Sequence, residues 1–568
     1  MTATLSHVVV APVLLPLASA ALMLLLGEQR RRAQAVIGLT STFAGLLLAV
    51  VLLASVHGQD APSAFAVYLP GNWPVPFGIA LVADRLATLM MVLAAGIGLA
   101  SLVYAQARWR RAGVHFHPLF QLQLMGLHGA FLTADLFNLF VFFEVLLAAS
   151  YGLLMHGGGA ERVRAGLHYI AVNLIASLLF LIGVALLYGV TGTLNMADIA
   201  QKLPRVPSDD RGLLHAAAAI LGVAFLAKAA LWPLNFWLPP AYAAAGAPVA
   251  ALFAILTKVG VYAVLRLWTL CFPASAGASA LFGAEVLVWG GLATLAFGAV
   301  GMMASQRLGR LAGFSIIASS GTVLSAIGLD IPAVTAGALF YLASSTLAGA
   351  ALFLLAELMD RARQVEATPA PDDGDDHLPF FIDGEPPPDI NLDDQEQALI
   401  GRAMPAALVF LGLGFTVCAL VVSGLPPLSG FVGKLAMLSP LLHAGTVAGG
   451  GVAPWTLFAV LIGSGLLSAV ALVREGIRHF WARQDARVPR LDIVEGVPVL
   501  MLLGACVLLV PQGEAMLRFT AAAAASLHRP EQYIEAVMAA QPVRRVALLR
   551  SGAAPAAAAA APAPGGLR

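Results

Sequence analysis

The chain is divided into long, unbroken apolar runs of about twenty residues, the length a helix needs to cross a bilayer. Fourteen such runs lie at roughly 8–27, 34–56, 79–104, 118–134, 137–156, 165–189, 213–232, 247–270, 281–304, 311–329, 333–358, 402–442, 455–480 and 495–511. A chain built this way has few choices. In hydrocarbon every backbone polar group must be satisfied internally, so the spans are helices unless they close into a β-barrel. A barrel shows short alternating segments, and these runs do not alternate. Composition agrees: 11% of the 568 residues are charged and mean hydropathy is +0.86, against about 25% charged in a soluble domain. A soluble enzyme, a disordered chain and a nucleic-acid binder are excluded. The predicted fold is all-α and polytopic, with about 14 transmembrane helices.

The first run is followed, not preceded, by a basic cluster at Arg30, Arg31 and Arg32. A cleavable signal peptide has the reverse order, so this run is read as an uncleaved span. Basic residues mark cytoplasmic loops. They recur in every second connection: Arg108, Arg110 and Arg111; Arg162 and Arg164; Arg307 and Arg310; Arg361 and Arg363; Arg474, Arg478, Arg483, Arg487 and Arg490. Lys202, Arg205 and Arg211, in an intervening loop, are balanced by Asp198, Asp209 and Asp210. The alternation predicts both termini outside. Residues 360–400 are acidic and Pro-rich and read as a solvated cytoplasmic loop; the tail after Arg550 is Ala/Pro low complexity. Cys271, Cys418 and Cys506 lie far apart within apolar runs. They show no metal or disulfide spacing and read as small packing residues. No metal or cofactor is implied.

The distribution of lysine carries the functional signal. Of 32 basic residues only four are Lys, and three of these (Lys228, Lys258 and Lys434) lie inside apolar spans. Arginine supplies the surface charge, and the interior receives lysine. Arg stays protonated, whereas a buried Lys exchanges its proton as its surroundings change. A Lys at helix centre costs about 2.5–3.5 kcal/mol on insertion scales, so three of them imply a use. Snorkelling to the interface is the bland alternative for each. One acid shares their depth: Glu144, in NLFVFFEVLLAAS. Alone it would be neutral; a Lys on a neighbouring helix keeps it ionised. At a separation of about 7 Å and an effective dielectric near 20, the attraction is about 2.4 kcal/mol. A shift of a few Å then alters how firmly the lysine holds its proton.

Two spans are interrupted, each near a lysine. The seventh reads FLAKAALWPLNFWLPP, with Lys228 before Pro233; the twelfth reads SGLPPLSGFVGKLAML, with Lys434 after Pro426 and Pro427. Interrupted spans at matching places in two halves point to a transport site. The spacing predicts two inverted five-helix repeats, each with a broken helix. The organisation is then 1–117 (helices 1–3), 118–272 (first repeat, helices 4–8), 273–484 (second repeat, helices 9–13, with the acidic loop) and 485–568 (last helix and tail). Asp84 marks the outer end of the third span. His128 reads as a hydrogen-bonded packing residue, and Glu285 and Glu357 as solvated span ends. Hydroxyls cluster at Ser315, Ser319, Ser320, Thr322 and Ser325 of the tenth span and Ser344, Ser345 and Thr346 of the eleventh. Such groups hold water or act as helix-packing glue.

The motifs Phe142-Phe143-Glu144, Lys228 with Trp232-Pro233-Leu234 and Phe236-Trp237-Leu238-Pro239, Thr257-Lys258-Val259-Gly260, and Gly424-Leu425-Pro426-Pro427-Leu428-Ser429-Gly430-Phe431 with Lys434 resemble those of the proton-translocating antiporter-like subunits. That superfamily includes membrane subunits of respiratory complex I, and the nearest branch looks like the D-type subunits of the Mrp/Pha-type multisubunit cation/proton antiporters. The resemblance spans most of helices 3–13. It implies a proton-translocating subunit of a monovalent cation (Na+ or K+)/H+ antiporter, not an enzyme, set in a bacterial inner membrane among other membrane subunits. By position Glu144 and Lys228 match the family's Glu–Lys pair, Lys258 its bridging lysine and Lys434 the lysine of the second broken helix. The alternative is an antiporter-like subunit of a complex I or hydrogenase-type redox-driven pump. Complex I subunits usually read PLHFWLPDAH where this chain has PLNFWLPPAY, so Asn235, Pro240 and Tyr242 favour the antiporter branch. Helix 11 often carries a His or Lys in the family; here it has neither, so a relay from Lys258 to Lys434 needs water held by hydroxyls.

Overall fold

The computed structural model describes residues 7–27, 29–59, 64–107, 115–367, 406–446, 451–480 and 491–542. The chain begins with α1 (Ala11–Leu26), α2 (Arg31–His57) and a two-stranded antiparallel pair, β1 (Ala66–Tyr68) with β2 (Leu81–Ala83), in which Ala66 faces Ala83. This small pair is the one departure from helix among the described elements. The first helical group follows: α3 (Arg85–Ala105), α4 (Phe116–Leu132), α5 (Leu136–Leu154), α6 (Ala160–Thr191), α7 (Met196–Lys202), α8 (Ser208–Lys228), α9 (Leu238–Ala244) and α10 (Ala247–Cys271). The second comprises α11 (Ala284–Ala304), α12 (Leu308–Gly328), α13 (Pro332–Ala367), α14 (Ala406–Ser423), α15 (Ser429–Thr446) and α16 (Val452–Phe480). The described chain closes with α17 (Ile493–Leu508), α18 (Gly513–Leu527) and α19 (Pro530–Met538).

Each of the fourteen runs lies mostly on helix, though not every one forms a helix that spans by length alone. Eleven described helices are long and apolar enough to cross a membrane, or twelve if α17 and α18, bent by 80° at their junction, form one broken span. The shortfall has a physical origin. Helices α1 and α4 have 16 and 17 residues, and at 1.5 Å per residue neither reaches across about 30 Å of hydrocarbon. The predicted loop at 360–400 begins later than expected, because α13 continues to Ala367. Residues 368–400, the basic loops at 108–111 and 481–490, and the tail after Arg550 lie outside the described residues.

Burial sorts the helices into two kinds. Along α10 and α13 nearly every side chain is buried, whereas α2, α6 and α14 keep large apolar side chains outward, among them Phe43, Leu178 and Leu413. A helix apolar on all sides needs either lipid or protein around it. Here α10 and α13 take the protein, which puts Lys258 in the centre of the molecule. Gly260 permits the closest approach: a Cβ there would lie 2.6 Å from the amide nitrogen of Ala229. The backbones of α10 and the end of α8 therefore meet directly, two residues on from Lys258 and one residue on from Lys228.

Candidate functional site

Both predicted breaks are present and share one backbone device. In the first, α8 ends at Lys228, Ala230 is left-handed (φ 57°), and the Leu231 amide donates to the carbonyl of Leu226 at 2.9 Å. In the second, α14 ends at Ser423, Gly424 is left-handed (φ 75°), and the Leu425 amide donates to the carbonyl of Leu420 at 3.0 Å. A left-handed residue followed by this six-to-one bond is a Schellman stop. Each stop is followed by a prolyl bond, at Pro233 and Pro427, both cis. Proline offers no amide and blocks resumption of the helix. The chain then restarts as α9 and α15.

Lys228 sits at the end of α8 and is buried. Its Nζ lies 4.9 Å from the centre of the Phe143 ring and 3.3 Å from Ser177 Oγ, to which it donates. Glu144, the next residue on α5, is half-buried, and its Oε1 has no hydrogen-bond partner. Glu144 and Lys228 form no ion pair within 4.0 Å; the ring against the ammonium belongs to Phe143, the residue before Glu144.

Lys258 is wholly buried on α10. Its ammonium donates to Ser319 Oγ, to Ser320 Oγ at 2.9 Å and to the Ile316 carbonyl at 3.5 Å, all on α12. These acceptors match the three N–H groups of an ammonium. Lys434, on α15, donates to the Ser423 carbonyl at 2.7 Å. That carbonyl belongs to the last turn of α14, left open by the break. No described carboxylate lies within ion-pair distance of Lys258 or Lys434.

A cavity of about 20 Å³ lies beside Lys434 and reaches toward Lys258 only as far as Ser319. It is lined by Lys434 and by Ser319, the residue that binds Lys258, together with Ser315, Tyr341, Ser345, Ser464 and Ser468. That volume suits a single water molecule, which needs about 10–15 Å³ and several polar partners. A hydroxyl both donates and accepts, so such a lining passes a proton without holding charge. The hydroxyls predicted to cluster divide in use. Ser315, Ser319 and Ser345 face the cavity, Ser320 holds Lys258, and Ser344 bonds Ser429 across helices at 2.8 Å. Thr322, Ser325 and Thr346 return their protons to carbonyls of their own helices.

Three readings of the sequence need correction. Arginine is not confined to the surface: Arg266, in α10, is buried and pairs with Asp84 at 2.7 Å. The guanidinium also lies 5.5 Å from the Tyr262 ring and 5.0 Å from the Tyr533 ring of α19. A fixed charge is tolerable there because it is paired and flanked by aromatic faces. Asp84 caps α3, accepting from the Ala87 amide at 2.9 Å, and is more than an end marker. Glu357 is not simply solvated; it accepts from the Ala247 amide at the start of α10, at 3.3 Å. Arg266 is visible in the sequence as a charge within an apolar run. Ser177, Ser464 and Ser468 give no signal that separates them from packing hydroxyls. His128 donates from Nδ1 to the Pro12 carbonyl, 2.8 Å away, and Cys271, Cys418 and Cys506 are buried and free. Glu285 is exposed.

A bundle of long apolar helices with two broken helices and three buried lysines defines a multi-pass membrane protein of the ion-transport type. Comparison places it more closely. Residues 133–372 match the family described as NADH:quinone oxidoreductase/Mrp antiporter, TM. The chain is 50% identical over 544 residues to the D-type subunit of a probable K(+)/H(+) antiporter of Rhizobium meliloti, covering 95% of this chain and 99% of that protein. It is 32% identical to the D-type subunit of the Na(+)/H(+) antiporter of Alkalihalophilus pseudofirmus, covering 94% and 100%. In fold it resembles a chain of the Mrp complex from Dietzia sp. DQ12-45-1b, with a TM-score of 0.78 at 24% identity over 95% of this chain and all of that one. The chain belongs to the family of these D-type antiporter subunits.

Proposed function

We propose that this chain is the proton-translocating D-type subunit of a multisubunit monovalent cation/proton antiporter, a transporter component and not an enzyme. Its partners are other membrane subunits, and its place is a bacterial inner membrane with both termini outside. The observation that carries the reading is three buried lysines on three helices, with hydroxyls and a small cavity between Lys258 and Lys434. Glu144 tunes Lys228 through space. Lys258 takes up a proton in its neutral form and hands it to the hydroxyls of α12. Lys434 exchanges it with one membrane surface. Pro233, Pro426 and Pro427 serve by breaking the helices, which leaves polar backbone beside the path and not facing lipid. The repeated stop-and-proline device supports two inverted repeats and the division at about residue 273.

The test is cation-driven proton exchange in everted vesicles carrying the whole complex. Glu144→Ala is expected to abolish exchange while the complex still assembles, because the carboxylate carries charge and no hydrogen bond that assembly depends on. Wild-type exchange by that variant would overturn the relay.

A further inference from the structure

A large cavity among the described residues lies away from the lysines, at the end of the bundle that carries the arginines. It measures about 1040 Å³ and opens between α6, α9 and the start of α12. Arg164 and His168 approach it from α6, and Arg307 and Arg310 from α12. Glu161 and Asp360 stand at the same cleft. With His168 neutral, three guanidiniums against two carboxylates leave one net positive charge. The Glu161–Arg307 contact is long, 3.7 Å, and exposed on both sides, so it competes weakly with another anion.

Backbone adds to the charge. The first turn of α12 contains no acid, and its N-cap residue Arg307 makes no side-chain cap. The first amides of a helix have no acceptor within it and carry the positive end of the helix dipole. Gly309, in that turn, lines the cleft. Arginine forks match phosphate oxygens in pairs. The edge of the cleft is greasy: Phe236 is 57% exposed, and Leu167 and Ile175 continue an outward apolar strip up α6 from Arg164 and His168. Polar head binding at helix-end depth beside an apolar strip is the layout of a lipid site. Basic pockets between helices on the arginine-rich side of a membrane take anionic headgroups.

We propose that this cleft binds the phosphodiester headgroup of an anionic phospholipid, with an acyl chain lying along α6, and that the bound lipid holds α9 in place. The cleft is backed by Pro240, Ala243 and Ala244 of α9. The opposite side of that short helix buries Leu238 and Tyr242 toward the core. Its C-terminal end is already tied to α6, since Arg162 Nε donates to the Ala244 carbonyl at 2.8 Å. It also packs on α12, where a Cβ at Gly313 would lie 3.2 Å from Pro239 Cα. A headgroup bridging Arg164 and Arg310 closes the third side. The helix restarted after the first break is thereby fixed against the relay by a lipid.

The whole complex, placed in phosphatidylcholine nanodiscs, is supplied with phosphatidylglycerol or with inorganic phosphate. Retained lipid is counted by native mass spectrometry, and exchange is measured after reconstitution in vesicles of the same lipids. Phosphatidylglycerol is expected to be retained and to raise exchange, and free phosphate at matched concentration is expected to do neither. Arg164→Gln with Arg310→Gln removes two guanidiniums and is expected to raise the phosphatidylglycerol level needed for half-maximal retention roughly tenfold. Arg518→Gln, an exposed arginine on α18 outside the cleft, is expected to leave retention unchanged. Equal retention by the Arg164/Arg310 variant and the wild type overturns the site. So does an equal effect of phosphate, which would make it an adventitious anion pocket. Retention reads the site without transport, so failure of the antiport reading appears separately, as a wild-type complex that exchanges nothing in any lipid.

Discussion

The two helix breaks use the same stop and the same proline, yet they present their lysines in opposite ways. Lys228 stands two residues before its left-handed residue, Ala230, while Lys434 stands ten residues after Gly424. At the first break the carbonyl of Ala227, in the last turn, accepts from the Ala230 amide at 3.2 Å and from the Trp237 indole N–H at 3.3 Å. The ammonium of Lys228 is left to Ser177 and the Phe143 ring. At the second break the spare carbonyl, that of Ser423, is taken by Lys434 itself. A broken helix is therefore not a site in itself. It supplies polar backbone, and the position of the lysine decides whether that backbone holds the proton carrier or merely stands near it. The first lysine rests on a hydroxyl and an aromatic face, the second on a direct carbonyl dipole.

Experiments on the element joining the breaks are expected to have the largest effect. Lys258→Arg keeps a charge but gives up proton release, so exchange in everted vesicles should be lost in the assembled complex. Full activity would mean that a fixed cation suffices between the two breaks. The buried cation already fixed in the molecule provides a contrast. Asp84→Ala strands Arg266 without its partner, a change that costs about 3–5 kcal/mol in buried pairs. Lower melting temperature and poorer assembly are expected, with no defect specific to proton transfer in whatever complex remains.

The second break should tolerate less change than the first. Gly424→Ala puts a Cβ 2.5 Å from Lys434 Cδ and forces a left-handed alanine, which costs roughly 1–2 kcal/mol from backbone strain alone. Exchange should fall strongly, since the ammonium must leave the Ser423 carbonyl. Ser319→Ala leaves Lys258 with Ser320 and removes a hydroxyl from the cavity; a loss of about tenfold in exchange rate is expected, below the range typical of a removed acid–base group because a second hydroxyl remains. The smallest effect belongs to the first break. Ala230→Gly relieves a left-handed alanine and should stabilise the chain by no more than about 1 kcal/mol, read as a small rise in melting temperature, with exchange unchanged. If Gly424→Ala proves as mild as Ala230→Gly, the second carbonyl does not hold Lys434 in function.

The site is partly legible without coordinates. Lys228, Lys258, Lys434 and Glu144 announce themselves because a charge inside an apolar run is costly, and Pro233, Pro426 and Pro427 because proline stops a helix wherever it falls. The serines of α16 are silent, since a hydroxyl at any helix position can bond its own i−4 carbonyl, as Ser468 does to Ser464. Whether it also faces a cavity depends on which neighbour packs against it. Arg266 is legible as a charge, but its partner Asp84 lies 182 residues away, and nothing local to either residue joins them.

Hydropathy by itself determined that this chain lives in a bilayer as helices, since unsatisfied amides are ruled out there and long apolar runs leave no other fold. It also fixed where helices must stop, because that depends on local covalent geometry. Tertiary structure decided what each buried charge touches. Lys228 lies over the Phe143 ring, Lys258 meets three acceptors on α12, and Lys434 caps the end of a neighbouring helix. Those outcomes depend on which faces of distant helices come together, and the sum of many weak packing contacts that sets this is not written at any one position of the chain.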